Sequence, residues 1–525
     1  MNKLLVLASA VGDRINPVAV KEFRQAVQSR LVILILMLFL MISLSVVGGY
    51  LLLTPEADTN TQGGLYVLHW LLGVLLLTCI GFVPTYTGVR MALERNDADV
   101  DLLYSTTITP ETIVRGKYLS AMGLTLLIYS ACMPFITLTY LLRGIELPSI
   151  FFALAVGFCI CAAANAIGIF AGSVQGTWFT RGVVAMGMAA ALAFVLQFGW
   201  QQVGGLVIVG IGERMKDWQF WIGIGSLLAI EIMVIGLLHV MSVAMLSPKL
   251  SNRMLFPRLY IMACWLFSGI TIGLWDWLTM SPATGLASTA VVMVNSLMTL
   301  WIIGGGGLIT LAVIGTMGER ETWSVRVRRT IPNNRLLRSF AFLLYTGSAG
   351  GVLWCVLMFA ATMLVGYAWG RYVNHRGGAE LAEVRRLTGA VFGYVLSYCL
   401  TVAFLRTVIL RRLPTRNLSV MVAFLGVAVY LVPYLADFFI TGKDFMDVLP
   451  WYLLGSPLVL TTQNEDAREL ALMIMRCWLA IAALLSVPWL FGQWRCFQPY
   501  FSLRPVVARR QNDPFEHSNA VRGRE

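Results

Sequence analysis

The chain has 525 residues, 58% of them apolar and 13% charged, with a mean hydropathy of +0.76. A soluble domain carries roughly 25% charged residues, so this composition excludes a soluble fold and describes an all-α integral membrane protein. The formal net charge of +12 does not by itself point to nucleic acid, because in a membrane protein the placement of lysine and arginine matters more than their sum.

The first ten residues, MNKLLVLASA, have a short apolar part, and Asp13 and Arg14 follow at once. The N-terminus is therefore read as uncleaved. Asn16 to Arg30, NPVAVKEFRQAVQSR, is the first predicted helix. Asn16 and Pro17 supply a cap and a first-turn proline. Val20, Phe23, Val27 and Leu31 recur at helical spacing, with Lys21, Glu22, Arg24, Gln25 and Gln28 between them. This pattern predicts an amphipathic helix lying in the membrane interface with its apolar face in lipid.

Leu31–Leu53 follows without a charge and is long enough to cross a hydrocarbon core of about 30 Å. The same test predicts spans near Leu65–Val89, Leu119–Leu142, Ile150–Ser173, Gly182–Gly212 and Gln219–Leu246. A second set covers Leu259–Trp275, Leu286–Met317, Phe340–Gly366, Thr388–Leu410, Leu418–Ile440 and Leu470–Phe491, which makes about twelve transmembrane helices in two six-helix halves. Gly204-Gly205 is read as breaking the fifth span, which then bends or re-enters. Leu449–Leu460, with Pro450 and Pro457, is apolar but too short to span and suits a re-entrant or interfacial piece. The expected organisation is a cytoplasmic N-terminus with the amphipathic helix (1–30), a first transmembrane domain (31–246) and a linker (247–258). A second transmembrane domain (259–492) and a flexible arginine-rich tail (493–525) complete it.

With the N-terminus inside, 28 of the 39 lysines and arginines fall in inside segments and 8 in outside ones. The positive-inside rule then places both termini in the cytoplasm and accounts for the net charge. The outside segment Trp369–Leu387 departs from the trend with four arginines and is read as holding a short surface helix. A weak internal repeat relates the halves: Glu94-Arg95 and Thr109-Pro110 follow the second span, and Glu319-Arg320 and Ile331-Pro332 follow the eighth. In both, the proline is expected just ahead of a new span.

Few residues suggest chemistry. No Gly-rich loop ending in GK[ST] occurs, Gly304–Gly307 lacks a lysine, and no HExxH is present. The nine cysteines are scattered and read as small apolar fillers. Glu231 lies near the middle of its span with His239 eight residues on, on roughly the same helix face. An intramembrane carboxyl is a candidate for a proton or cation relay, and a carboxyl satisfied by a neighbouring helix is the plainer reading. Asn165, Gln197 and Asn295 are read as interhelical hydrogen-bonding groups.

Three features together resemble the permease subunits of type-2 ABC exporters. They are the NPVAVKEFRQAVQSR helix running into the first span, the loop sequence DLLYSTTITPETIVRGKYL after the second, and the mid-helix proline of SACMPFITLTYLLRG in the third. The resemblance covers about residues 16–246. It implies that Asn16–Arg30 is a cytoplasmic elbow helix and that Asp97–Ile113 is a coupling region docking on a separate ATPase subunit. In that reading Leu102, Leu103, Tyr104 and Ile108 fill a groove on the ATPase, and Asp99, Asp101 and Glu111 meet basic residues there. Arg326, Arg328, Arg329 and Arg335 of the second-half loop would contact a second ATPase copy. The chain itself would bind no cofactor and have no enzymatic activity, with ATP and Mg on the partner subunit. Its other partner is the lipid bilayer, with no nucleic acid, and the expected setting is the bacterial inner membrane. Two alternatives stay open: an ion-coupled secondary transporter, and a membrane-embedded lipid-modifying enzyme.

Overall fold

The computed structural model describes residues 16–53, 63–94, 109–142, 146–174, 178–212, 214–248, 250–279, 287–373, 379–410, 417–441, 454–457, 460 and 465–500. The described residues are helical and contain no strand, as the composition predicts for a chain whose backbone must satisfy its own hydrogen bonds in lipid. Among the described residues, eleven helices are long and apolar enough to cross a membrane by length and composition. In the helix over the predicted eleventh span, the apolar stretch Leu418–Pro433 is shorter. The chain divides into two compact units, Met1–Pro248 and Lys249–Glu525.

Unit one begins with the short helix α1 (Pro17–Val27), whose Asn16 Oδ1 accepts from Val18 N at 3.0 Å. The long helices α2 (Arg30–Leu53), α3 (Gly63–Leu93), α4 (Pro110–Leu141), α5 (Leu147–Ser173), α6 (Trp178–Val209) and α7 (Trp218–Leu246) follow. Helix α3 widens into a π-helical turn at Leu77–Phe82. Pro84 supplies the cause: it has no N–H, and its ring crowds the carbonyl one turn back, so the helix opens there. Beyond the bulge, α3 lies against α5 backbone to backbone. A Cβ on Gly168 would collide with Pro84 O, and one on Gly172 with Gly88 O. Small residues that let backbones approach are the usual means of helix association in lipid. Asn165 behaves as the sequence suggests: from α5 its Nδ2 donates to Thr125 Oγ1 of α4 at 3.0 Å.

Unit two contains α8 (Leu255–Thr279), α9 (Ala287–Met317), two short helices α10 (Val325–Arg329) and α11 (Arg335–Leu344), then α12 (Ser348–Val373), α13 (Ala379–Val408), α14 (Leu418–Thr441) and α15 (Glu465–Cys496). Tryptophan N–H groups stitch the apolar helices together. Trp265 of α8 donates to Thr362 Oγ1 of α12 at 2.9 Å, and Trp301 of α9 to Ser268 Oγ of α8 at 3.0 Å. Phe359 and Phe392 stack at 3.8 Å between α12 and α13. Tyr394 and Tyr398, near the middle of α13, donate to the carbonyls of Leu454 and Gly455 at 2.8 and 2.5 Å. A non-helical turn thus sits at the depth of the middle of a membrane helix, with its carbonyls satisfied by protein.

An ion pair nearly closed to solvent organises one end of unit two. Arg258, 3% exposed, meets both oxygens of Glu319 at 2.6 Å. Its other nitrogen donates to Leu343 O at 2.8 Å and Tyr345 O at 2.6 Å, while Gly347 N donates to Glu319 Oε2 at 2.7 Å. One cluster therefore fixes the start of α8, the end of α9 and the bend between α11 and α12.

Four sequence expectations are corrected. The ninth span does not begin at Phe340: α11 ends at Leu344, and the span runs from Ser348, because the Arg258 bonds to Leu343 and Tyr345 hold a break there. Pro332 accordingly lies ahead of α11 rather than ahead of a span. Gly204-Gly205 does not interrupt α6, which is continuous to Val209; Gly204 instead takes the close packing of the His69 ring. Residues 379–387 form no separate surface helix but are the first turns of α13.

Removing one partner of a buried pair leaves the other charge uncompensated, at a cost of about 3–5 kcal/mol. Glu319→Ala is accordingly expected to lower the thermal unfolding midpoint of the detergent-purified protein. The double variant Arg258→Met, Glu319→Leu should recover only part of the loss, because the Leu343 and Tyr345 carbonyls still lack their donor. An unchanged midpoint for Glu319→Ala would refute the assignment.

Candidate functional site

The richest polar cluster among the described residues of unit one lies where α1, the end of α3 and the start of α4 meet. The last two flank residues 95–108. Thr109 caps α4 through its hydroxyl, which accepts from Thr112 N at 3.3 Å, and Pro110 and Glu111 open the helix. This is the helix start that the residue types predict.

Helix α1 rests on α4 at two glycines. A Cβ on Gly116 would come within 2.7 Å of Val18, and one on Gly123 within 2.9 Å of the Phe23 ring. Asn16 Nδ2 also donates to Thr112 O at 2.6 Å. The face of α1 turned to the protein holds Ala19, Glu22 and Ala26, all buried, while Val20 is exposed. This corrects the expected orientation: Phe23 covers a groove in α4, and Glu22 belongs to the inner face. The small residues allow the approach, and a buried carboxylate is tolerated because two cations await it.

Those cations are Lys117 of α4 and Arg90 of α3. Glu22 accepts from Lys117 Nζ at 3.1 Å and lies 3.3 Å from Arg90 Nε. Lys117 also reaches Glu94 at 2.5 Å, and Arg90 pairs with Glu94 at 3.1 Å. Arg90 further bonds Tyr86 Oη at 3.0 Å and Gln25 Oε1. Glu22 and Lys117 are 8% and 6% exposed. Two acids and two bases thus neutralise one another around a cleft lined by Glu22, Ala26, Tyr86, Thr87, Arg90, Lys117 and Ser120. Burial alone would raise the Glu94 carboxyl, but the Lys117 and Arg90 contacts outweigh it and hold Glu94 below the ordinary glutamate range. A self-neutralised cluster of this kind has no charge left for a substrate ion. What it can do is transmit force, since α1, the end of α3 and the start of α4 share the same four charges.

Of the residues expected to dock, Asp99, Asp101, Leu102, Leu103, Tyr104 and Ile108 lie outside the described residues. Glu111 is placed on the first turn of α4 and pairs with Arg115 at 2.6 Å. Arg326, Arg328 and Arg329 are on α10, and Arg335 opens α11. Glu231 is half-buried on α7, within electrostatic range of Tyr118 of α4 and Cys159 of α5. His239, also half-buried, is within electrostatic range of Arg115 and Glu111 instead. The two share a helix face, but each has its own neighbours. Among the described residues no group of three or more histidine, cysteine, aspartate or glutamate side chains could hold a metal ion.

No family model, curated protein or solved structure matches the chain. Its assignment therefore rests on the residues themselves. The four-charge junction was not singled out from the sequence, although two signals were present. Glu22 is the only acid between Asn16 and Arg30, and Lys117 stands alone at the head of a long uncharged run.

Lys117→Ala is expected to destabilise the junction by about 1–3 kcal/mol, the range for losing hydrogen bonds to charged groups, because Arg90 still faces Glu22. The effect should appear as faster hydrogen exchange in α1 and the first turns of α4, with α5 unchanged. The depressed Glu94 carboxyl sets a pH direction: it contributes stability above its unfolded pKa of about 4.3, and that contribution is lost as pH falls through the lower folded value. The protection factor of α1, exchange corrected for its intrinsic pH dependence, should therefore fall on acidification below that range and be flat above it; Glu94→Gln should remove the step.

Proposed function

We propose that the protein is the permease subunit of an ATP-binding cassette transporter of the exporter type, moving substrate across the membrane with ATP hydrolysed by a separate subunit. It is an all-α integral membrane protein; the transport role is the reading that its best-organised polar site supports. The observation that carries it is the clamp of α1 onto both flanks of the 95–108 loop through Glu22, Arg90, Glu94 and Lys117. A loop that only connected two spans would have no need of a surface helix bonded to its ends. A loop that receives a push from a docked ATPase needs such a link, so that the motion enters the helices and is not absorbed locally.

In this reading the loop lies on the cytoplasmic side together with both termini, in a bacterial inner membrane. Leu102, Leu103, Tyr104 and Ile108 would enter a groove on the ATPase, and Asp99, Asp101 and Glu111 would meet its basic residues. ATP and Mg belong to the partner. Nucleotide-driven closure of two ATPase domains would then pull α3 and α4 through the loop, giving alternating access.

The test is co-purification with a candidate ATPase subunit. Leu102→Ala, Leu103→Ala and Tyr104→Ala combined should abolish complex formation while leaving the folded permease intact. A stable complex in the triple variant would sink the coupling-loop assignment. A second reading, ion-coupled secondary transport, draws on the half-buried Glu231 on α7. Transport that persists without ATP and collapses in Glu231→Gln would favour it.

A further inference from the structure

Helices α10 and α11 carry an excess of positive charge that the protein does not answer. From Val325 to Leu344 there are five arginines, Arg326, Arg328, Arg329, Arg335 and Arg338, and no acid. The two nearest glutamates are already engaged, Glu319 by Arg258 and Glu321 by Arg406 at 2.6 Å. None of the five takes part in an ion pair among the described residues, and the Nε atoms of Arg328 and Arg338 are buried without a hydrogen-bond partner. Two of the guanidinium groups lie over rings: Arg329 Cζ is 5.5 Å from the Tyr500 ring centre and Arg338 Cζ 5.1 Å from that of Trp494.

The same hairpin exposes large apolar side chains. Leu336, Leu337 and Phe340 of α11 are 73%, 56% and 66% exposed, while Ala341 and Phe342 on the opposite face are buried against Trp323 and Phe497. The height of this exposed face is fixed by its neighbours. The span α12 begins at Ser348, immediately after α11. The Arg258–Glu319 pair ties the start of α8 and the end of α9 to the α11–α12 bend. Trp494 of α15 and Phe497 just beyond it pack edge-on against Phe342 at 5.3 and 5.4 Å. Four membrane helices thus end at the level of α11, so its apolar face is at the boundary of the hydrocarbon and its arginines are at headgroup height.

We propose that α10 and α11 form a docking surface for the anionic headgroups of that leaflet, with Leu336, Leu337 and Phe340 inserted among the acyl chains. Arg326, Arg329 and Arg335, the exposed three, supply the headgroup contacts. Lipid is the occupant that fits both halves of the surface: an apolar face continuous with membrane spans is already in contact with acyl chains, and the phosphates come with them. Basic residues at an anionic surface gain attraction that salt screens. This goes beyond the transport reading and holds whether or not an ATPase binds the other loop.

The test uses the full chain in nanodiscs of phosphatidylcholine alone or of an equal mixture with phosphatidylglycerol. Hydrogen exchange of residues 325–344 is expected to be several-fold slower in the mixed discs, with the difference shrinking at high salt. R326Q/R329Q/R335Q should lose the difference, and the charge-conserving R326K/R329K/R335K should keep it, which separates charge from misfolding. Equal exchange in the two lipids for the wild-type chain overturns the proposal. So does protection that appears only when an ATPase subunit is added, irrespective of lipid charge, since the arginines would then be a protein contact.

Discussion

A carboxylate at the rim of a membrane protein must either stay in water or find a cation on leaving it. In each unit one glutamate takes the second course. Glu22 of α1 is buried and meets Lys117 and Arg90; Glu319, just past α9, is buried and meets Arg258. Much of the local architecture hangs on these contacts. Each cation comes from a different helix than its glutamate, so each pair joins elements that apolar packing alone would leave free to slide. Buried charge is a poor source of net stability compared with well-packed hydrocarbon, but it fixes which partner sits where. In lipid, where apolar surfaces gain little by choosing one another over the surrounding chains, that selectivity has greater weight.

The two clusters solve the same problem with different consequences. In unit one the charges are shared among three helices, and Glu22 extends the network onto α1. Four side chains trading bonds can rearrange without any one of them losing all its partners. In unit two a single guanidinium holds both carboxylate oxygens and two carbonyls, and a backbone N–H completes the carboxylate. That arrangement has no slack. The first junction is suited to moving as a coupled set, and the second to holding three helix ends at one height.

The membrane helices were legible because a long uncharged run has few other solutions, and their number and order follow directly from the sequence. Their ends were harder. Phe340–Leu344 looks like the start of a span by hydropathy, yet belongs to α11, because the carbonyls at Leu343 and Tyr345 are drawn to Arg258 from a helix some 85 residues earlier. Likewise the polar face of α1 was visible, but nothing local says that Glu22 turns inward. That depends on Gly116 and Gly123 making room on α4 and on two cations from distant segments. Asn165 was readable as an interhelical donor from its type and depth alone, though its acceptor, Thr125, was not. Residue type announces that a polar group in lipid needs a partner; only the packing names it.

The widened turn at Leu77–Phe82 has a bearing on the charge network about two to three turns further along α3. A π-bulge amounts to one extra residue in the helix, and one residue is about 100° of rotation in an α-helix. Everything after the bulge is therefore turned by roughly a quarter of a circle relative to the line that Gly63–Leu76 would have continued. Gly88 meets Gly172 and Arg90 meets Glu22 only in that rotated frame. Pro84 thus acts as a phase setter: it dictates the azimuth at which the far end of α3 presents its cation, from a position that touches none of the charges itself.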